Sequence, residues 1–279
     1  MSEPQWVESL PYLPSSTAAA HCELNEKGQV VGPKPHRARF HHTLITSAVD
    51  PIPPIPYGAK PKAVIILGAP GSGKSALLKE LPPDQFVVVN PDAVKTCIHE
   101  YREATAQRAR NADQMVHAES SFLCQQIQQY AIESRRNLVI ESIGLNPDIQ
   151  AQLIDHLQSR GYEVAIALTQ LPAEQGAERA TRHLSAQGRY LPDAAIRESY
   201  AQVPRSFLAL KDKVPHFRVV DTRQPPPSLV WEKRQNAETI HSPHKLKEIF
   251  NVPTDPVRST RRCQSVPGRA RAAAGCERW

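Results

Sequence analysis

The segment 68–75 constrains the fold of this chain more than any other stretch. It reads, in order, Gly68, Ala69, Pro70, Gly71, Ser72, Gly73, Lys74 and Ser75. This matches the pattern G-x-x-x-x-G-K-S of a phosphate-binding loop. The apolar run 63–67 before it predicts a buried strand, and the composition of 75–80 after it predicts a helix. Strand, loop and helix in this order are the context that the motif requires.

The residue types of the loop fit the binding of a nucleoside triphosphate with Mg²⁺. Glycines adopt positive φ and let the backbone approach a ligand, so that successive amides point into one concavity. The helix N-terminus behind them adds partial positive charge. Lys74 would reach the β- and γ-phosphates, and the Ser75 hydroxyl would hold Mg²⁺. A Gly/Ser turn that matches the pattern by chance is the alternative interpretation.

Short apolar runs alternate with helical patterns through the middle of the chain. Such alternation predicts a mostly parallel sheet covered by helices on both faces. We therefore expect an α/β fold, a three-layer P-loop sandwich of about five strands. The predicted strands are 63–67, 86–89, 137–141, 163–168 and 217–220. The predicted helices are 75–80, 92–108, 112–135, 147–160, 172–187 and 193–211.

Composition divides the chain into four parts. Residues 1–60 show little periodicity and end in a proline-rich spacer, which predicts an irregular extension. Residues 61–222 carry the alternating pattern and are predicted to form the P-loop domain, and 223–252 are predicted to pack back on it, with one short helix. Residues 253–279 are rich in Arg, Pro, Ala and Gly, which predicts a disordered tail.

The basic charge of the protein belongs mainly to this tail. The formal charge of the whole chain is +6, and six arginines against Asp255 and Glu277 give the tail +4. Because no aromatic residues are interleaved with these arginines, a solvated tail is favoured over nucleic-acid binding. The five cysteines show no C-x-x-C pairing, which favours reduced thiols in a cytoplasmic compartment. No secretory signal or membrane-spanning run is evident, so we expect a cytoplasmic protein.

The loop alone does not choose between a GTPase, a motor ATPase and a kinase. The sequence has no N-K-x-D for reading guanine, and a large motor would need a longer chain. A small phosphotransferase needs a base for the acceptor hydroxyl, acceptor-binding groups, and cations over the γ-phosphate. The next residues are candidates for these roles.

Two carboxylates stand where predicted strands end, the edge at which ligands bind in parallel sheets. Asp92 follows the second strand and could accept a proton from an acceptor hydroxyl, although it could also be the N-cap of the next helix. Glu141 ends the third strand and could bind acceptor hydroxyls or order Mg²⁺ through water. A structural carboxylate is the alternative for Glu141.

Arg182 and Arg189 flank a short polar turn that continues into Gly-Arg-Tyr-Leu-Pro. Phosphoryl transfer is stabilised mainly by charge, so cations that close over the transferred group are expected. We predict that both arginines act as catalytic lid residues. Surface arginines of a solvated helix are the alternative.

The chain resembles the zeta toxin family of P-loop kinases over about 60–222. The motifs that carry the resemblance are the loop 68–75, Asn90-Pro91-Asp92, Asn137-Leu138-Val139-Ile140-Glu141, Arg160-Gly161-Tyr162-Glu163-Val164 and the two lid arginines. The resemblance implies an ATP- and Mg²⁺-dependent kinase that phosphorylates a hydroxyl of a nucleotide sugar such as UDP-N-acetylglucosamine. It also implies a possible antitoxin partner. Asp92 would be the base, Lys74 and Ser75 would handle ATP and Mg²⁺, and Glu141 would bind the acceptor.

Two departures concern the acceptor. Where the family has Glu-Gly-Thr, this chain has Glu141-Ser142-Ile143, so a hydroxyl that contacts the sugar is missing. The family's second acceptor-binding carboxylate has Glu119 as its candidate, out of strict register. A related kinase acting on NAD or another nucleotide is therefore an alternative. A non-catalytic nucleotide-binding interaction module is the alternative from another functional class.

Overall fold

The computed structural model describes residues 16–109, 111–186, 191–235 and 237–250. Within them the chain forms nine strands and ten α-helices. The strands are β1 (Cys22–Leu24), β2 (Val30–Pro33), β3 (Lys62–Leu67), β4 (Val87–Val89), β5 (Leu138–Ser142), β6 (Glu163–Gln170), β7 (His216–Asp221), β8 (Ser228–Arg234) and β9 (Ala237–Ile240). The helices are α1 (Thr17–His21), α2 (Pro35–Val49), α3 (Lys74–Leu78), α4 (Pro91–Cys97), α5 (His99–Ala106), α6 (Ala112–Glu133), α7 (Pro147–Ser159), α8 (Ala173–Ala186), α9 (Asp193–Leu210) and α10 (Pro243–Phe250).

The main sheet has seven strands in the order β4-β5-β3-β6-β7-β8-β9. Its first five strands run parallel, and β8 and β9 add two antiparallel strands at one edge. The predicted α/β class and mostly parallel sheet are confirmed, with two strands more than the five that the apolar runs indicated. The added strands lack such runs because they are less covered: three of the four residues of β9 are exposed.

The central strand β3 is buried on both faces, as its continuous apolar sequence predicts. Ala63, Ile65 and Leu67 contribute to the larger hydrophobic cluster, which includes residues of α6, α7 and α9. Val64 and Ile66 point the other way and pack with Leu77 of α3. The five parallel strands end at the same edge of the sheet, and the phosphate-loop motif begins there.

The irregular extension predicted for 1–60 is wrong for its central part. Within the described residues, 17–49 form α1, the hairpin β1–β2 and α2. The prolines of this segment misled the prediction, because Pro35 occupies the first turn of α2, where its missing N–H costs nothing. The overlooked signal is Phe40, Leu44, Ile45 and Ala48, which recur at helical spacing and pack on the core.

One smaller difference concerns the boundaries of a predicted helix. The single helix predicted over 92–108 is two helices, α4 and α5, because the buried Ile98 between them has extended backbone (φ −76°, ψ 123°). The segment after β7 contacts the sheet through Trp231 of β8, whose ring centroid lies 4.8 Å from that of Phe217. Residues 253–279 lie outside the described part of the chain.

Two further findings bear on the sequence-based expectations. No helix among the described residues is long and apolar enough to cross a membrane. The three cysteines in the described residues, Cys22, Cys97 and Cys124, are free thiols.

Candidate active site

The motif residues form a compact loop between β3 and α3. Gly71 and Gly73 have φ of 77° and 87°, values that side chains on L-residues disfavour, so glycine is required at both turns. Gly73 directly precedes the first turn of α3, and Ser72 N donates to Ala69 O at 3.0 Å. The sequence motif is therefore realised as a turn that ends at a helix N-terminus.

The outer side of the loop is covered by α8 and α9. A Cβ on Gly71 would lie 2.4 Å from the carbonyl oxygen of Gly176 in α8, so the glycine is also required by close packing. The hydroxyl of Tyr200 in α9 donates to Pro70 O at 3.0 Å. The predicted lid helix α8 thus begins in direct contact with the loop.

Two threonines hold the inner side of the loop, and sequence reasoning missed both. Thr169 lies near the end of β6, and its hydroxyl is 2.7 Å from the Ser72 hydroxyl. Thr222 follows β7 and donates to Ser72 O at 2.6 Å. Both are buried hydroxyl groups at the carboxyl edge of the sheet. Their position at strand ends beside the motif is the signal that could have identified them.

Lys74 extends back over the loop rather than into solvent. Its Nζ donates to Gly68 O at 2.7 Å and to Ala69 O at 3.3 Å. Burial lowers the pKa of Lys74 below its usual value, and the nearby carboxylates of Glu141 and Asp92 act in the opposite direction. A half-buried ammonium group that is held by two carbonyl oxygens, with two carboxylates nearby, is well suited to bind phosphate oxygens.

Asn90, not Asp92, caps α4. Its Oδ1 accepts from Asp92 N at 2.8 Å and from Ala93 N at 3.0 Å, the pattern of a helix N-cap. The capping alternative for Asp92 is therefore wrong. Asp92 lies in the first turn, where the helix dipole favours a negative charge, and its side chain is 56% exposed.

Glu141, near the end of β5, lies close to Asn90 and Asp92. Asn90 Nδ2 donates to its Oε1. Burial raises the pKa of Glu141 above its usual value, Lys74 and the Asn90 hydrogen bond oppose this shift, and Asp92 adds to it. The structure thus brings together the three predicted residues Lys74, Asp92 and Glu141 within electrostatic range of one another.

Glu119, the third predicted carboxylate, is used elsewhere. It has no exposed surface and lies on α6 against α2, where Arg37 Nε donates to its Oε1 at 2.8 Å and His41 Nε2 donates to the same oxygen at 2.8 Å. Arg37 also holds the other oxygen at 3.3 Å. Because both oxygens are engaged inside the protein, Glu119 presents none to a ligand in this structure.

The two lid arginines are only partly described. Arg182 lies on α8 and is exposed. Arg189 lies outside the described residues. Arg179, three residues before Arg182, donates to Thr222 O and Arg223 O at 2.9 and 2.8 Å, so it ties α8 to the segment after β7.

The residues present fit ATP with Mg²⁺. Positive φ at Gly71 and Gly73 shapes the loop, and the helix N-terminus of α3 supplies backbone amides and partial positive charge. Ser75, in the first turn of α3, is exposed, so its hydroxyl is available to a cation. Lys74 supplies the cation for the phosphates.

The fold and loop define a P-loop protein of the kinase class. A family model described as "Zeta toxin" matches residues 46–241, and the chain belongs to this family. No curated protein sequence matches the chain.

Solved structures support the fold at low sequence identity. One comes from the PezAT chromosomal toxin–antitoxin system of Streptococcus pneumoniae, with 17% identity, a TM-score of 0.59, and coverage of 76% of this chain and 87% of that chain. Another is AvrRxo1-ORF1:-ORF2 with ATP, with 14% identity, a TM-score of 0.65, and coverage of 88% and 84%. The same complex with sulphate ions gives 14% identity and a TM-score of 0.64, with coverage of 84% and 82%. The expected resemblance to zeta toxins is confirmed.

Proposed function

We propose that the protein is a kinase that transfers the γ-phosphoryl group of ATP to a hydroxyl of a nucleotide-sugar acceptor similar to UDP-N-acetylglucosamine. The observation that carries the proposal is the cluster of Lys74, Asp92 and Glu141 at the carboxyl edge of the sheet. A site that only bound nucleotide would need the loop and Lys74, but not an exposed carboxylate beside them. The match to a complex solved with ATP is consistent with ATP as the donor.

In the proposed mechanism the loop amides and Lys74 hold the phosphates. The Ser75 hydroxyl would hold Mg²⁺, which when bound would neutralise charge on the phosphate oxygens. Asp92 accepts the proton of the acceptor hydroxyl as that oxygen forms its bond to the γ-phosphorus, while the bond between this phosphorus and the β–γ bridging oxygen breaks and ADP leaves. Glu141, fixed by Asn90, orients the acceptor. Arg182 and Arg189 close over the transferred group and compensate its charge.

A second acceptor class is favoured by the residue after Glu141. The Ser142 hydroxyl accepts from Gly144 N and from Gln150 Nε2, each at 3.1 Å. These contacts use the hydroxyl within the protein, so it does not replace the threonine that the family offers to a sugar. NAD or another nucleotide is therefore the second candidate acceptor. A non-catalytic nucleotide-binding module is the candidate from outside the enzymes.

The first experiment tests the acceptor and the base together. The full chain is incubated with ATP·Mg²⁺ and either UDP-N-acetylglucosamine or NAD, and phosphorylated products are measured by mass spectrometry. With the acceptor that reacts, Asp92→Asn should lower kcat by about 10²–10⁴, the usual effect of losing a general base. Because Asn90 caps α4, thermal unfolding should change little, and ATP should stabilise the variant as it does the wild type.

Three results would contradict parts of the proposal. Transfer by Asp92→Asn at the wild-type rate would exclude Asp92 as the base and make Glu141 the next candidate. ATP binding without a product from either acceptor would favour the interaction module. Phosphorylation of NAD but not of UDP-N-acetylglucosamine would show that the acceptor belongs to the second class.

We also propose an antitoxin partner and a cytoplasmic location. The PezAT structure is described as part of a toxin–antitoxin system, and this chain shares its fold. Co-purification of the tagged full chain from its native cells, followed by mass spectrometry of bound proteins, tests the partner. Recovery of the chain alone from the soluble cell fraction would contradict the proposed partner.

A further inference from the structure

Lys95 is a buried lysine beside the proposed base Asp92. It lies on α4 one turn after Asp92, and its side chain is only 8% exposed. Its Nζ donates to Asp113 Oδ1 of α6 at 3.1 Å and lies 3.7 Å from Asp92 Oδ1. Lysine is rarely this buried unless its charge is paired. Here the ammonium group stands between two carboxylates from different helices.

Asp92 needs such a neighbour if it is to accept a proton. The carboxylate of Glu141 lies within electrostatic range, and a bound triphosphate would add further negative charge. Both favour protonation of Asp92 and would weaken it as a base. Lys74 cannot compensate fully, because its ammonium group is held at the loop carbonyls and serves the phosphates.

We propose that Lys95, fixed by Asp113, is a positioning residue that keeps the Asp92 carboxylate ionised and oriented toward the acceptor hydroxyl. The inference rests on the proposed role of Asp92 as the base. Asp113 contributes by holding the ammonium group of Lys95 beside Asp92. A charge held by the protein in this way stays in place whether or not nucleotide is bound.

Among the described residues, the charged and titratable groups around Asp92 come from four elements. They are Lys74 of α3, Lys95 of α4, Glu141 of β5, and Asp113 and Cys124 of α6. Burial raises the pKa of Cys124 to about 12, so this thiol stays neutral over the working range. The acidic groups of α5 are engaged elsewhere, since Glu100 is bound by Arg37 and Glu103 pairs with His99.

A purely structural role for Lys95, joining α4 to α6, predicts a different outcome. Removing either partner of a structural ion pair would lower stability in the same direction and leave the titration of Asp92 where it was. The positioning role instead predicts opposite effects. Loss of the Lys95 charge should make Asp92 harder to ionise, and loss of the Asp113 charge should make it easier.

The test follows Asp92 directly and needs no acceptor. Full-length protein labelled with ¹³Cγ-aspartate is titrated by NMR, and the Asp92 signal is assigned by its absence from Asp92→Asn. Lys95→Met should raise the titration midpoint of Asp92 by about one pH unit, the low end for an opposite charge within 4–6 Å, because Asp92 is partly solvated. Asp113→Asn should lower the midpoint. Lys95→Arg keeps the positive charge and is the matched control. In this variant the titration midpoint of Asp92 should stay near the wild-type value.

The matching kinetic readout is the pH profile of kcat with the acceptor that reacts. Lys95→Met should move the acidic limb upward by a similar amount and recover activity at higher pH, with an unchanged KM for ATP. An Asp92 midpoint that does not move in Lys95→Met, or that moves the same way in Asp113→Asn, would overturn the inference. Transfer at the wild-type rate by Asp92→Asn would instead refute the base itself, so the two failures are distinguishable.

Discussion

Replacing Glu119 by glutamine tests whether this carboxylate is structural, as its contacts indicate, or binds the acceptor. Glu119→Gln keeps the shape of the side chain and removes its charge. Arg37 and His41 would then face a neutral amide in a site that excludes water. Removing one partner of a buried ion pair is expected to cost about 3–5 kcal/mol, because the other charge stays buried.

The pH dependence of the free energy of unfolding gives a second measure of how much Glu119 stabilises the fold. Burial alone would raise the pKa of Glu119, but hydrogen bonds from His41, Arg37 and Thr17 outweigh it and lower the pKa to about 2, from 4.5 in the unfolded chain. A difference of this size corresponds to about 3 kcal/mol at neutral pH. Because the folded pKa is the lower one, this stabilisation is complete above about pH 5 and is lost as the pH falls toward 2.

The assay is urea unfolding of the wild type and Glu119→Gln at neutral pH and at several values down to about pH 3. The stability gap between the two proteins should be about 3 kcal/mol at neutral pH and should narrow as the pH falls. Glu103→Gln, an exposed carboxylate on α5, is the control and should change the free energy by less than about 0.5 kcal/mol. A gap that stays constant with pH would refute the reasoning. If Glu119→Gln leaves the stability unchanged and raises the KM for the acceptor, Glu119 binds the acceptor after all.

Two further predictions concern the loop itself. Gly71 and Gly161 both have positive φ, a conformation that costs a residue with a side chain about 1–2 kcal/mol. Only Gly71 also lies against a backbone oxygen, that of Gly176, so Gly71→Ala should destabilise the protein by more than Gly161→Ala. Thermal unfolding measures the difference, and equal losses would contradict it. Lys74→Ala should abolish ATP turnover and leave the unfolding temperature nearly unchanged, since Lys74 faces the ligand site. Wild-type turnover by this variant would refute the assignment of the loop.

The catalytic half of the fold was predictable because its signals are local. β3 is a continuous apolar run, and the motif after it carries its own geometry in its glycines. The other parallel strands are likewise short apolar runs between helices. Because parallel strands end at one edge, the sequence also indicated that Asp92 and Glu141 would lie near Lys74.

The polar contacts between distant segments were not predictable in this way. Arg37 and Glu119 are 82 residues apart, and neither has a neighbour in sequence that indicates the pairing. The assignment of Glu119 to the acceptor site relied on sequence position alone, and position on a helix does not fix which face meets which partner. Lys95 was missed for the same reason, since its link to Asp113 depends on the packing of α4 on α6.

The contrast between Asp92 and Glu141 gives a physical reason to place the base on Asp92. Glu141 is half-buried, and burial raises its pKa. One of its oxygens is also occupied by Asn90. Asp92 is more exposed, lies in the first turn of a helix, and has the ammonium group of Lys95 3.7 Å away. These features favour an ionised Asp92 that can accept a proton, and a fixed Glu141 that orients the molecule from which the proton comes.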